Sequence, residues 1–453
     1  MTTSKSLVRV AFALALFLSP APAWAHARLT RSEPAAGSKV GSPPWIRLWF
    51  SERPEIALSS ATLKDQSGKA FSLGAAQSAP GDPLQVSFAL TGALPPGTYT
   101  LGWRTVPSDG HPSHGTFNFV VLAASPPTET QPQTGSAITP APSVGQSAEQ
   151  ANEAGSAINS LARAFSFAGI LLVIGVTVFN LLVVARSDRI GSELVGRMES
   201  RAAVVGIAAS LWVILGAFTQ LYLESRMMSQ MAGMQTMSIA DMAMHTRWGF
   251  AMRLEIISAF LALVSFAVAV KRVRDAWLAA SLFAAVLALT PALGGHAAAT
   301  PRFTSLLIAS DFLHVLGASS WLGNLACVML IGVPIILRSG GDERWQSVAT
   351  LVNAFSPVAL GSASVVVASG LVASWVHLDR FSSLWTTAYG QMLFRKLVFV
   401  AVLLTVGAYN FRRVQPQLIR EHGTLSLRRW TTVELGFAVI ILVITGFLTG
   451  ISP

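Results

Sequence analysis

The sequence predicts a mixed protein, a small all-β domain followed by an all-α bundle of about eight membrane-crossing helices. Three observations carry this. The 453 residues are 52% hydrophobic and only 12% charged, about half the charge of a soluble protein. Residues 26–122 are built of short alternating runs separated by turn signals. From residue 156 onward the chain turns into long apolar runs.

The first 25 residues carry Lys5 and Arg9, then "VAFALALFL", then Ala23-Trp24-Ala25, the order of a secretory signal peptide. A cut after Ala25 leaves His26 first; cuts after Ala23 or Ala27 are also open. A first-residue histidine offers a metal two nitrogens, its α-amine and its imidazole Nδ1.

Within 26–122 the runs "IRLWF", "ATLKD", "LQVSFAL", "GTYTLGWRTV" and "GTFNFVVL" predict strands of a small sandwich or barrel, with Trp45, Trp49 and Trp103 to bury. Residues 123–155 hold five prolines and neither an aromatic nor a basic residue, which predicts a flexible linker. Residues 156–453 hold eight apolar runs, beginning with "FAGILLVIGVTVFNLLVVA" and ending with "LGFAVIILVITGFLTGI". With the first domain outside, loops 186–201, 271–275, 338–345 and 412–429 fall inside and hold most of the arginines of residues 156–453. That asymmetry obeys the positive-inside rule and predicts a multi-pass protein of the cytoplasmic membrane with its N-terminal domain on the periplasmic side.

The net charge of +10 is dispersed through short loops between apolar runs, which argues against nucleic acid as a partner. The single cysteine, Cys327, excludes an intrachain disulfide and CxxC motifs. Neither a P-loop nor a DKTG motif occurs, so no ATP-driven step is expected.

By this topology seven of the eight histidines lie on the outer side; His422 is the exception. Imidazole is the commonest metal-ligand type, so an outward-facing metal path follows. In "VPSDGHPSHGTFNFVV", Asp109 and His111 stand two apart around Gly110. Joined with His26 they make an N/O set suited to Cu(II), although Asp-Gly is also an ordinary hairpin-turn signal.

The stretches "HARLTRSEPAAGSKV", "LWFSERPE" and "LPPGTYTLGWRTVPSDGHPSHGTFNFVV" closely resemble the CopC family of copper resistance proteins across nearly all of 26–122. The resemblance implies a Greek-key (Ig/cupredoxin-like) sandwich of seven to nine strands, with Cu(II) held by His26, Asp109 and His111. Methionine is absent from 26–122, so a Cu(I) site of the Met-rich kind is not expected there. His114, just past the motif, is a solvated or auxiliary residue. The stretches "DFLHVLGASSWLGNL", "VASGLVASWV", "AYGQMLFRKLVFVAVLLTVGAYNFRR" and "LRRWTTVELGFAVIILVITGFL" resemble the CopD membrane family over most of 304–450. The two together imply a protein that captures Cu(II) outside and passes copper to a membrane path for uptake and homeostasis. Extracytoplasmic sequestration for resistance is the close variant.

Further candidate ligands lie in the membrane half. Asp311 and His314, at i and i+3, share a helix face, and either hold a metal or make a structural contact with the run bearing Arg395 and Lys396. The stretch "ESRMMSQMAGMQTMSIADMAMH" holds seven methionines and ends at His245. Its stripe Met228, Met231, Met234 and Met237 is either an apolar packing face or a Cu(I) collection site, thioethers being soft ligands. His296 lies near the outer end of its run. Arg253 and Glu255 are two apart and need partners elsewhere; Glu434 reads as structural, paired with an inner arginine. An extracytoplasmic chaperone or reductase fits as partner, besides copper and the lipid bilayer. Oxidative catalysis is not expected, because Asp109 takes a coordination position and the small domain offers no substrate platform. A haem-binding electron carrier using His296, His314 and His377 is the remaining alternative.

Overall fold

The computed structural model describes residues 29–106, 113–123, 146–187, 189–230, 239–300, 303–341, 343–378, 380–419 and 421–451. Residues 29–122 carry nine strands: β1 (Leu29–Glu33), β2 (Lys39–Val40), β3 (Trp45–Phe50), β4 (Ser60–Asp65), β5 (Ala70–Phe71), β6 (Gln77–Ala79), β7 (Asp82–Ala89), β8 (Gly97–Thr105) and β9 (Ser113–Val121). They form two sheets, β1-β3-β7-β6 and β2-β9-β8-β4-β5. Period-2 alternation sends one face of each strand inward. Ile46, Leu48, Phe50, Val86 and Phe88 of the first sheet meet Leu63, Tyr99, Leu101, Trp103 and Phe119 of the second. The five strands expected from the sequence are all present. The four additional ones are short edge pieces in which polar or small residues mask the alternation. Gly115 lets the Trp103 ring lie across β9, since a Cβ there would stand 2.7 Å from the ring.

Eight helices are long and apolar enough to cross a membrane: α1 (Ala157–Arg186), α2 (Ser192–Arg226), α3 (Arg247–Ala269), α4 (Arg274–Leu293), α5 (Thr304–Arg338), α6 (Arg344–His377), α7 (Ala388–Gln417) and α8 (His422–Leu448). The expected inner loops are shorter than read. Arg197, Arg201, Arg428 and Arg429 stand on the opening turns of α2 and α8, because long basic side chains reach past a helix end while their stems stay on the apolar bundle.

The most buried helices are α1 and α5, and α6 is the least. Neighbours of α1 are α2, α4, α5, α6 and α8. It meets α5 glycine to glycine: a Cβ on Gly175 would stand 2.6 Å from Gly323 Cα. Three helices depart from regular geometry through π-turns, at Phe179–Val183 in α1, Ser319–Gly323 and Val328–Gly332 in α5, and Asn410–Val414 in α7.

Candidate metal path

His26, Asp109 and His111 lie outside the described residues, but the elements that flank them are described. The β8–β9 ladder ends at the pair Thr105↔Ser113, and Leu29, at the start of β1, pairs with Phe50 at the end of β3. The Phe50 and Trp103 rings are 5.2 Å apart, and Glu55, just beyond β3, donates its N–H to the Val106 carbonyl at 2.8 Å. The start of β1, the ends of β3 and β8 and the start of β9 therefore gather at one end of the sandwich.

That same end sits on the helical bundle. Leu58 and Val106 are buried with Leu221 of α2, Met242 of the short helix Ile239–His245, and Met252 of α3. The Arg53 N–H reaches the Ala299 carbonyl at 3.4 Å, and the Arg247 N–H donates to Glu55 Oε1 at 3.2 Å. Burial and the nearby Arg247 charge hold the Arg53 guanidinium below its ordinary value, an effect Glu55 opposes.

Ala299 closes the short helix His296–Ala299, so His296 lies one turn from the docking contact. Around it gather groups from three helices. Asp311 of α5 interacts electrostatically with Lys396 of α7 and with His296, and His377 at the end of α6 interacts with His296 and packs its ring 6.0 Å from Tyr389 of α7. The His314 Nδ1 is 3.1 Å from the Ser369 Oγ of α6, and Ser310 donates to the Ser369 carbonyl at 2.9 Å. Asp311 and His314 thus share a face of α5 and both lie near Lys396 of α7, while His314 alone also meets Ser369 of α6. Among the described residues no three His, Cys, Asp or Glu side chains are close enough to hold a metal ion. The sandwich end of the bundle is a gathering of imidazoles with Asp311 and a nearby Lys396 rather than a ready-made chelate. Sequence reasoning named His296, Asp311 and His314, offered the run bearing Lys396 as their structural contact and grouped His377 with His296 and His314; it missed Tyr389, whose ring packs on His377.

The Met-rich segment divides. Met231, Met234 and Met237 lie outside the described residues; Met228 stands on helical backbone and His245 closes the short helix. Met242 is 1% exposed and packs under the sandwich, so there it serves as apolar filling. Met244 is exposed, with Sδ 3.3 Å from Arg253 Nη1. Glu255 is fully buried and accepts hydrogen bonds from Ser166 of α1 at 2.8 Å and Thr290 of α4 at 3.2 Å. The expected pairing of Glu434 with an arginine is replaced by a bond from Asn410 Nδ2 at 2.9 Å.

Comparison with known proteins agrees with this division. Residues 29–122 match the family described as CopC domain, residues 153–302 that of Copper resistance protein D-like, N-terminal domain, and residues 349–448 that of Copper resistance protein D. The chain is 25% identical over 449 residues to the copper transport protein CutJ of Bacillus subtilis (strain 168), a match covering 97% of this chain and 77% of CutJ. It is 35% identical to protein YobA of Escherichia coli (strain K12) over 121 residues, 26% of this chain and 98% of YobA. It is 40% identical to Copper resistance protein C of Escherichia coli over 105 residues, 22% of this chain and 83% of that protein.

A β-sandwich carried on an apolar helical bundle, with both parts matched in this way, defines a membrane protein of the copper resistance class. The chain belongs to the family in which a CopC domain is fused to CopD domains.

Proposed function

We propose that the protein captures Cu(II) outside the cytoplasmic membrane and passes copper into its helical domain for uptake. The capturing set is His26, Asp109 and His111, the first contributing its α-amine and imidazole once the signal peptide is cut after Ala25. One carboxylate with nitrogen donors is a borderline set that suits Cu(II) in a tetragonal arrangement. The observation that carries the reading is the docking. The sandwich end at which the strands flanking these positions stop rests beside the helix His296–Ala299, where His296, Asp311, His314 and His377 collect. Intramembrane ionisable groups are costly, and a cluster of them at one mouth of a bundle marks an ion path. In this reading the sandwich side faces the periplasm, the Met-rich segment beside it is a place for Cu(I), and no resident enzymatic step is invoked.

Cu(II) titration of the purified mature protein, with its N-terminus determined, tests the capture site. His26→Ala should weaken binding by at least tenfold. An N-terminus beyond His26, or unchanged affinity, removes the site. Radiocopper accumulation in cells with and without the gene tests the direction. Lower accumulation in the expressing cells would replace uptake by sequestration.

A further inference from the structure

Far from the sandwich the bundle contains a second polar layer, which the copper path described above does not use. On α5, Asn324 lies ten residues beyond His314, about 15 Å further along the helix at ~1.5 Å per residue. Asn324 is 0% exposed, and neither its Oδ1 nor its Nδ2 has a hydrogen-bond partner among the described residues. On α7, Asn410 is 9% exposed; its Nδ2 donates to Glu434 of α8, while its Oδ1 has no partner. Glu434 is 4% exposed. The two asparagines stand at one level. A Cβ on Gly407 of α7 would stand 3.4 Å from Glu434 Oε1 and 3.8 Å from Cζ2 of Trp321 on α5. Asn410 and Asn324 are each one turn further along the same two helices, which run in the same direction.

An amide left unpartnered in an apolar interior costs several kcal/mol, and this layer carries three such atoms. Each asparagine also coincides with a π-turn: Asn324 follows Ser319–Gly323 and Asn410 opens Asn410–Val414. Such turns concentrate at functional sites. The charge arrangement then narrows the occupant. Asn410 is the hydrogen-bond partner of Glu434, and no ionised side chain among the described residues acts on it. On the helices packed against α8, Arg163 of α1 donates to the Gly446 carbonyl at the sandwich end, and Arg344 of α6 stacks over Trp345. Arg412 and Arg413 of α7 are exposed, as are Arg428 and Arg429 of α8 itself. A carboxylate buried without a fixed cation must be neutralised by a mobile one.

We propose that Glu434, with Asn410, forms a proton-binding layer, at the depth of Asn324 on α5, at which a proton is exchanged for the copper ion crossing the bundle. The O–H bond of Glu434 forms with a proton from water on the far side of the bundle. It breaks when the copper cation enters the layer from the sandwich side, and that proton leaves to the water on the sandwich side while copper goes on to the far side. The Asn410 amide beside Glu434 solvates whichever cation is present. This rests on the proposed passage of copper through the helical domain.

Full-length protein in lipid vesicles holding a pH-sensitive dye tests the exchange, with radiocopper supplied in each oxidation state. Wild type should move copper together with an opposing proton signal. Glu434→Gln keeps the bond from Asn410 and should lose the proton signal by at least tenfold, and Glu434→Asp should restore part of it. Copper movement without a proton signal in wild type, or a full signal in Glu434→Gln, overturns the exchange while leaving copper passage intact. If no copper moves, the passage reading fails, and infrared difference spectra of the same vesicles decide the layer. Copper addition should remove a protonated-carboxyl band in wild type and change nothing in Glu434→Gln; an identical response in both overturns the proposal.

Discussion

Leu58 is the residue whose truncation should separate the sandwich from the bundle without unfolding either. It is 6% exposed, and its packing partners Leu221, Met242 and Met252 belong to the helical half, with Val106 the one contribution from its own sandwich. Leu58→Ala deletes three buried carbons, at about 0.8 kcal/mol each a loss of at most about 2.4 kcal/mol. At about 1.4 kcal/mol per factor of ten, the docked population shifts against the undocked by up to about fiftyfold. The contact between the Arg53 N–H and the Ala299 carbonyl supplies the assay, because cysteines at 53 and 299 lie close enough to cross-link. Cys327 is fully buried and does not interfere. Cross-linking should fall steeply in Leu58→Ala, with copper accumulation falling alongside. Leu63→Ala, an equal truncation inside the sandwich core, should lower the melting temperature of the sandwich instead. Unchanged cross-linking and uptake in Leu58→Ala would refute the claim that docking at this end delivers copper.

Gly323→Ala should destabilise the bundle by about 1–3 kcal/mol, since the new methyl would stand 2.9 Å from the Leu171 carbonyl carbon in a contact made of backbone on both sides. Thermal unfolding in detergent checks this, and a wild-type midpoint would show that α1 and α5 are not in glycine contact. His114, opposite Arg104 on the β8–β9 ladder, has its pKa lowered from 6.5 by loss of water and by the Arg104 charge. The unfolded chain therefore binds more protons below that value, and local stability should rise as pH climbs toward about 6.5 and then level off. Hydrogen-exchange protection of β8 and β9 should show this rise, and His114→Gln should flatten it.

Much of the architecture was legible because it is written in periodicities. Tyr99, Leu101 and Trp103 alternate on β8 as an antiparallel sheet with one buried face requires, and each membrane helix is an apolar run of sufficient length. The docking surface had no such signature. Leu58, Val106, Leu221, Met242 and Met252 come from five separate places in the chain, and each reads as an unremarkable apolar residue. Met242 even pointed elsewhere, because its methionine-rich surroundings suggested ligation where the structure uses its side chain as filling. The i, i+3 spacing correctly put Asp311 and His314 on one face, but spacing within one helix says nothing about which neighbour each will meet. That is decided by the placement of Ser369 on α6 and Lys396 on α7. Glu255 gives the same lesson: its partners Ser166 and Thr290 lie 89 and 35 residues away.

The two polar levels of the bundle make a mechanistic argument when compared. At the sandwich end the carboxylate of Asp311 already has a fixed cationic neighbour in Lys396, so an arriving copper ion must compete with an ammonium for it, and the neighbouring imidazoles are the better donors. At the far level Glu434 has a single amide donor and no fixed cation among the described residues, so the same charge is open to a mobile one. One helix, α5, joins the two: it carries Asp311 and His314 near its start and Asn324 further on, with the first π-turn, Ser319–Gly323, between them. A π-turn changes the angular register of everything beyond it, so the segment that opens at Asn324 packs on α1 and α6. The glycine contact with α1 falls within that same turn. The glycine contact and the first π-turn of α5 thus fall between its two polar levels, and movement of α5 about this contact would alter both levels together.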